Sequence, residues 1–85
     1  MRVVEIEFDP VKDAGNIVKH GISLRRATDL DVRAALDDDR FDEPRVRLYG
    51  IIDGKWYCLA ATLRGARVRA ISLRRAHRSE VEGYE

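Results

Sequence analysis

A single cysteine, Cys58, leaves this chain without any possible internal disulfide. Its place inside an apolar run marks it as a small buried filler rather than a nucleophile, and a lone thiol suits a reducing cytosol. No apolar run approaches the ~20 residues of a membrane span. The opening Arg2-Val3-Val4-Glu5-Ile6-Glu7 lacks the form of a secretory signal, so a cytoplasmic protein is expected. Repeats, low-complexity tracts and linkers are absent, and residues 1–85 read as one domain with a modest core. No histidines, cysteines and carboxylates stand at metal-ligand spacing. The run Asp37-Asp38-Asp39 lacks the glycine and the further ligands of a calcium loop. No metal and no cofactor are therefore expected.

What the chain does have is charge. Asp, Glu, Lys and Arg make up 36% of it, above the usual ~25%, and the net charge of +1 hides an asymmetry. Residues 1–44 carry seven basic and eleven acidic side chains, residues 45–85 nine and four. Such a split suggests a polarised surface whose basic part faces an anion, or two halves that pair with each other. The basic side chains concentrate between 64 and 78, at Arg64, Arg67, Arg69, Arg74, Arg75 and Arg78. Arg67, Arg69 and Arg75 share one parity of an expected strand. Guanidinium is planar, permanently charged and able to bond phosphate bidentately, which points to a nucleic acid. The plainer alternative is a solvated strand followed by a basic helix start.

Residues 2–8 alternate, with Val4, Ile6 and Phe8 on one face and Glu5 and Glu7 on the other, the pattern of a half-buried strand. Asp9-Pro10 opens a helix, Asp9 as cap and Pro10 in the first turn. Val11, Ala14, Ile17 and Val18 supply an apolar stripe for it, and Gly21 follows Lys19-His20 as a natural stop. Ser23 can cap a second helix with Ala27 and Leu30 inward. Residues 32–36 either prolong that helix or form a short extended piece, and 37–39 and 42–44 read as loop. Residues 45–52 and 55–63 flank the hairpin signal Asp53-Gly54. A turn at Gly65-Ala66 leads into a strand over 67–74, and Ala76 to Tyr84 reads as a terminal helix. The order β-α-α-β-β-β-α predicts an α+β fold, a small antiparallel sheet with helices packed on one side.

Several side chains suit chemistry on a phosphodiester. His20 has an ordinary pKa near 6.5, suited to proton transfer at neutral pH, or it simply satisfies the helix end. Lys19 can bind phosphate or complement the dipole. Thr62 and Arg64 share a parity, as do Ser72 and Arg74. If their strands pair, two hydroxyls and two guanidiniums can form a polar patch, or remain ordinary strand residues. Glu80 can act as a base or orient an arginine. Tyr49, Trp56 and Tyr57 can stack bases or fill the core, and Tyr84 suits a core anchor.

Taken together, these residues resemble the BrnT-type toxins of bacterial type II toxin–antitoxin systems. The resemblance runs through Phe8-Asp9-Pro10, Lys12, Asn16, Lys19-His20-Gly21-Ile22-Ser23 and Ala27. It continues through Gly50, Asp53-Gly54, Thr62, Arg64, Arg69, Ile71-Ser72, Arg74, Ala76, Glu80 and Tyr84. It implies a RelE-like fold and a metal-independent endoribonuclease that arrests translation. It also implies neutralisation by a BrnA-type antitoxin, whose ribbon-helix-helix domain alone would carry the complex to operator DNA. Two departures stand out. Arg25 and Arg26 follow Ser23 where acidic residues are usual, the wrong sign for a helix start, and Leu73 replaces a small residue.

RNA can be cleaved by its own 2′-hydroxyl. The expected division of labour puts Arg64 and Arg74 on the phosphate and His20 on proton transfer, with Lys19 as support. Glu80 is a second candidate base. Thr62 and Ser72 would position the phosphate, and Arg67 and Arg69 would supply general grip. The competing expectation is a non-catalytic nucleic-acid-binding or protein-interaction module.

Overall fold

The computed structural model describes residues 5–40, 42–64 and 67–85. A five-stranded sheet is built from β1 (Ile6–Glu7), β2 (Asp31–Asp38), β3 (Arg45–Ile52), β4 (Lys55–Arg64) and β5 (Arg67–Arg75), in the spatial order β1-β5-β4-β3-β2. Helix α1 (Pro10–His20) and a 3-10 helix over Leu24–Asp29 precede β2, and α2 (Arg78–Val81) with a 3-10 turn over Glu82–Tyr84 closes the chain.

The β3–β4 hairpin is where the sequence predicts it. Asp53 and Gly54 both take positive φ, 51° and 77°, the twist-matched two-residue turn. The expected turn at Gly65-Ala66 lies outside the described residues. Gly50 is required for a different reason: a Cβ there would run into the backbone carbonyl of Asp31 on β2.

Three expectations are corrected. Residues 31–38 form a strand, so Asp37 and Asp38 belong to β2 rather than to a loop. A bulge between Val32 and Ala34 breaks the two-residue alternation that would have revealed it. The sheet is mixed, because β1 runs parallel to β5. Finally, the helical pieces do not share one side. Leu24, Ala27 and Leu30 cover one sheet face with Val32, Val46, Leu48, Leu59, Ala61, Ala70 and Leu73. Val81 of α2 packs on the opposite face with Tyr49 and Cys58.

Helix α1 begins and ends as expected. The Val11 N–H donates to Asp9 Oδ1 at 2.8 Å, and Gly21 adopts the left-handed conformation at φ 73°. Its orientation reverses expectation, since Val11 is 79% and Val18 89% exposed while Asn16 is buried. The Asn16 amide donates to the Leu73 carbonyl at 2.9 Å, and the Leu73 N–H donates to Asn16 Oδ1 at 3.0 Å. One side-chain amide thus completes the edge of β5 beyond the short β1. A sheet edge needs polar partners, so α1 turns its polar side inward.

Candidate nucleic-acid interface

Strand pairing turns sequence parity into rows across the sheet. On the face opposite the Leu24–Asp29 helix, one row runs Asp38, Arg45, Thr62, Arg69, Glu7 across all five strands. The next holds Leu36, Arg47, Ala60 and Ser72, and the one beyond it Ala34, Tyr49, Cys58 and Arg74. Arg64 faces Arg67 at the other end. Among the described residues, six arginines therefore share one face: Arg45, Arg47, Arg64, Arg67, Arg69 and Arg74. A bulge in β5, where the register shifts between Ala60 and Ala61, brings this about. It moves the odd-numbered Arg67 and Arg69 onto the face of the even-numbered Ser72 and Arg74. The same shift sends Arg75 to the other face, where its guanidinium lies 5.6 Å from the Tyr57 ring centroid.

At the α2 end of this face stands a hydrogen-bonded network, in which Arg47 Nε is buried without a hydrogen-bond partner among the described residues. Arg74 donates from Nη1 and Nη2 to the two oxygens of Glu80 at 2.8 and 2.9 Å. The Tyr49 hydroxyl donates to Glu80 Oε2 at 2.9 Å, and Arg47 Nη1 donates to that hydroxyl at 3.2 Å. The His77 N–H adds a fourth bond to Glu80 Oε1 at 2.8 Å. The Arg74 guanidinium, foremost, holds the Glu80 carboxyl down at about 2, and Glu80 in turn raises Arg74. Burial, followed by the Glu80 bond, pushes the Tyr49 phenol up to about 12. A carboxylate with four donors on it is a poor proton acceptor at neutral pH, which favours the orienting role for Glu80 over the basic one. Because Glu80 takes the end-on edge of the guanidinium, the side-on fork of Nε and Nη2 is left for a ligand oxygen pair. Tyr49, 2% exposed, is an anchor of this network and not a stacking platform. The Cys58 thiol beneath is buried, and burial raises its pKa.

The other predicted site residues fall in two groups. Thr62 pairs with Arg69 and Arg45, and Ser72 lies one row from Arg74 on its own strand. Arg64 and Arg74 share the face but not a site. Six residues of β4 separate Arg64 from Cys58, the residue facing Arg74, which is about 20 Å of strand. Arg67 and Arg69 share the single carboxylate of Glu7 at 3.6 and 3.7 Å. Lys19 and His20 end α1, and among the described residues no hydrogen bond or ion pair joins them to the arginines or to Glu80. His20 is half-buried and sits four residues after Asn16, on the same side of the helix and one turn (~5.4 Å) beyond the Leu73 contact. Of the two departures, Arg26 has a structural use: it bonds Asp29 and Asp53, each at 2.8 Å, tying the 3-10 helix to the hairpin turn.

Sequence reasoning missed Arg45 and Arg47. Their signal is present as the odd positions of a strand whose even positions, Val46 and Leu48, are core, but two arginines in a strand stand out less than six between 64 and 78.

A family model described as the ribonuclease toxin BrnT of type II toxin–antitoxin systems matches residues 8–80. The chain is also similar to the 1.1 Å crystal structure of the Brucella abortus ribonuclease toxin BrnT. The TM-score is 0.67 and the identity 23%, over 89% of this chain and 100% of that one, a likeness of fold. No curated protein matches.

Proposed function

Because this chain belongs to the family of BrnT ribonuclease toxins of type II toxin–antitoxin systems, we propose that it is a metal-independent endoribonuclease with its cleavage centre at Arg74. The observation that carries this reading is the Arg74–Glu80–Tyr49–Arg47 network, which holds one guanidinium rigidly with a fork left over. In the reaction the 2′-oxygen attacks the adjacent phosphorus and the bond to the 5′-oxygen breaks. The products are a 2′,3′-cyclic phosphate and a 5′-hydroxyl. One proton leaves the 2′-hydroxyl and one arrives on the 5′-oxygen. Arg74 stabilises the charge on the phosphorane. Glu80 positions Arg74, and Ser72 positions the phosphate. His20 transfers the proton with Lys19 as electrostatic support, reaching the substrate over the edge of β5. Arg64, Arg67, Arg69 and Thr62 hold RNA away from the scissile bond.

Cutting RNA would inhibit translation, and a cognate antitoxin of BrnA type would neutralise the enzyme. The antitoxin's ribbon-helix-helix domain would bring the complex to operator DNA. A cytoplasmic setting and kinship with RelE-like toxins belong to the same proposal. The test is incubation of the purified protein with an RNA oligonucleotide in EDTA. Products ending in 2′,3′-cyclic phosphate are expected, with Arg74→Ala slower by about 10²–10³-fold and His20→Ala by about 10²–10⁴-fold. Binding without cleavage would overturn the reading in favour of a non-catalytic module.

A further inference from the structure

Thr62 carries an unexplained cost. It is 3% exposed, yet its buried hydroxyl has no hydrogen-bond partner among the described residues. An orphaned buried hydroxyl is unfavourable, because it has given up its bonds to water and gained none in return. Valine, of nearly the same shape, would avoid the cost. Thr62 is the centre of the five-strand row, between Arg45 and Arg69, with Asp38 and Glu7 outside them. The guanidiniums on either side are held differently from Arg74. Arg69 reaches Glu7 only at 3.7 Å and shares it with Arg67, and Arg45 contacts Glu43 at 3.2 Å. These half-buried pairs are longer than the 2.8 Å Arg74–Glu80 pair, so a phosphate that bonds the guanidiniums at closer range can exchange for the carboxylates. Beyond this row, Arg64 stands directly opposite Arg67, a like-charge pair beside which the Glu7 carboxylate is shared between Arg67 and Arg69.

We propose that Arg45, Thr62 and Arg69 form a second phosphate subsite that takes the backbone of a flanking nucleotide of single-stranded RNA. The two arginines swing from their carboxylates onto the phosphate, and the movement uncovers the Thr62 hydroxyl, which donates the third bond. Four residues of β4 separate Thr62 from the row of Arg74, about 13 Å of strand. That is too far for one phosphate and suits an extended strand two nucleotides on. The assignment rests on the reading of this face as the RNA surface, but it can fail separately.

The test compares wild type, Thr62→Val and Thr62→Ser with a 2′-O-methyl RNA pentanucleotide, which cannot be cleaved, and with cleavable pentanucleotide and dinucleotide substrates. Thr62→Val should fold at least as stably as wild type. It should bind the 2′-O-methyl pentanucleotide about tenfold more weakly, and Thr62→Ser should recover most of that loss. In cleavage, the kcat/KM advantage of the pentanucleotide over the dinucleotide should shrink about tenfold through KM. Equal binding by wild type and Thr62→Val, or a loss of the same size on both substrates, overturns the subsite. A wild type that binds but cuts nothing overturns the cleavage reading alone, and the binding comparison still decides on Thr62.

Discussion

Glu80 shows how much one carboxylate organises on this face. It accepts two bonds from Arg74, one from Tyr49 and one from the His77 backbone. Its pKa is depressed to about 2 from an ordinary 4.5. A depressed carboxylate contributes stability that is fully present above its unfolded pKa and is lost as pH falls through its folded one. Glu80→Gln keeps the shape and removes the charge, so at pH 7 it should cost about 2 kcal/mol. The gap between wild type and variant should persist down to about pH 4.5 and close by about pH 2. Thermal unfolding midpoints of both proteins across that range check this, and a gap that does not depend on pH would show that Glu80 is not held as a carboxylate. Tyr49→Phe removes the donor to Glu80 Oε2 and the acceptor for Arg47 Nη1. It should cost about 1–2 kcal/mol in urea unfolding.

Helix α1 makes the corresponding argument for an element. Asn16 ties it to Leu73 in both directions and to the Ile22 carbonyl at 2.8 Å. Asn16→Ala strands the N–H and C=O of Leu73 and should cost about 2–4 kcal/mol. Val18→Lys, on the outward face, should stay within about 0.5 kcal/mol of wild type. The stripe read from Val11, Ala14, Ile17 and Val18 predicts the opposite ranking, so urea unfolding of the pair separates the two readings. The helix itself was legible because Asp9, Pro10 and Gly21 are local signals that need nothing from the rest of the chain. Which side faces inward was not legible, because that depended on β1 ending after Glu7 and leaving β5 an open edge. The hairpin at Asp53-Gly54 was legible for the same local reason, whereas β2 and the face of Arg75 were hidden by bulges, which invert parity without leaving a mark in composition. In the site, the arginines, Thr62 and Glu80 could be picked out by type. Their grouping could not, since the separation of Arg64 from Arg74, about 20 Å along the strand, follows from pairing register.

At the scale of the molecule, a net charge of +1 says little about how the protein meets a polyanion. Among the described residues several ion pairs are local, with Arg33 on Asp31, Arg40 on Asp38 and Arg45 on Glu43, each two residues apart. Asp31, Asp38 and Glu43 are thus spent on neighbours in sequence, and on the arginine face one carboxylate, Glu7, serves both Arg67 and Arg69. The field of that face is positive although the molecule is nearly neutral, and it should be felt as counterion release. For single strands the slope of log affinity against log salt is about −0.7 per phosphate neutralised. Three to five phosphates along the face then predict a loss of roughly 20- to 130-fold between 50 and 200 mM salt. Fluorescence anisotropy with a labelled 2′-O-methyl pentanucleotide measures this directly. Arg69→Ala should flatten the slope by about 0.7, as one contact fewer requires. Val18→Lys adds a positive charge on the outward side of α1 and should leave the slope unchanged, because it lies off the face. If both substitutions moved the slope alike, RNA would be responding to net charge, and the row arrangement of the arginines would have no part in binding.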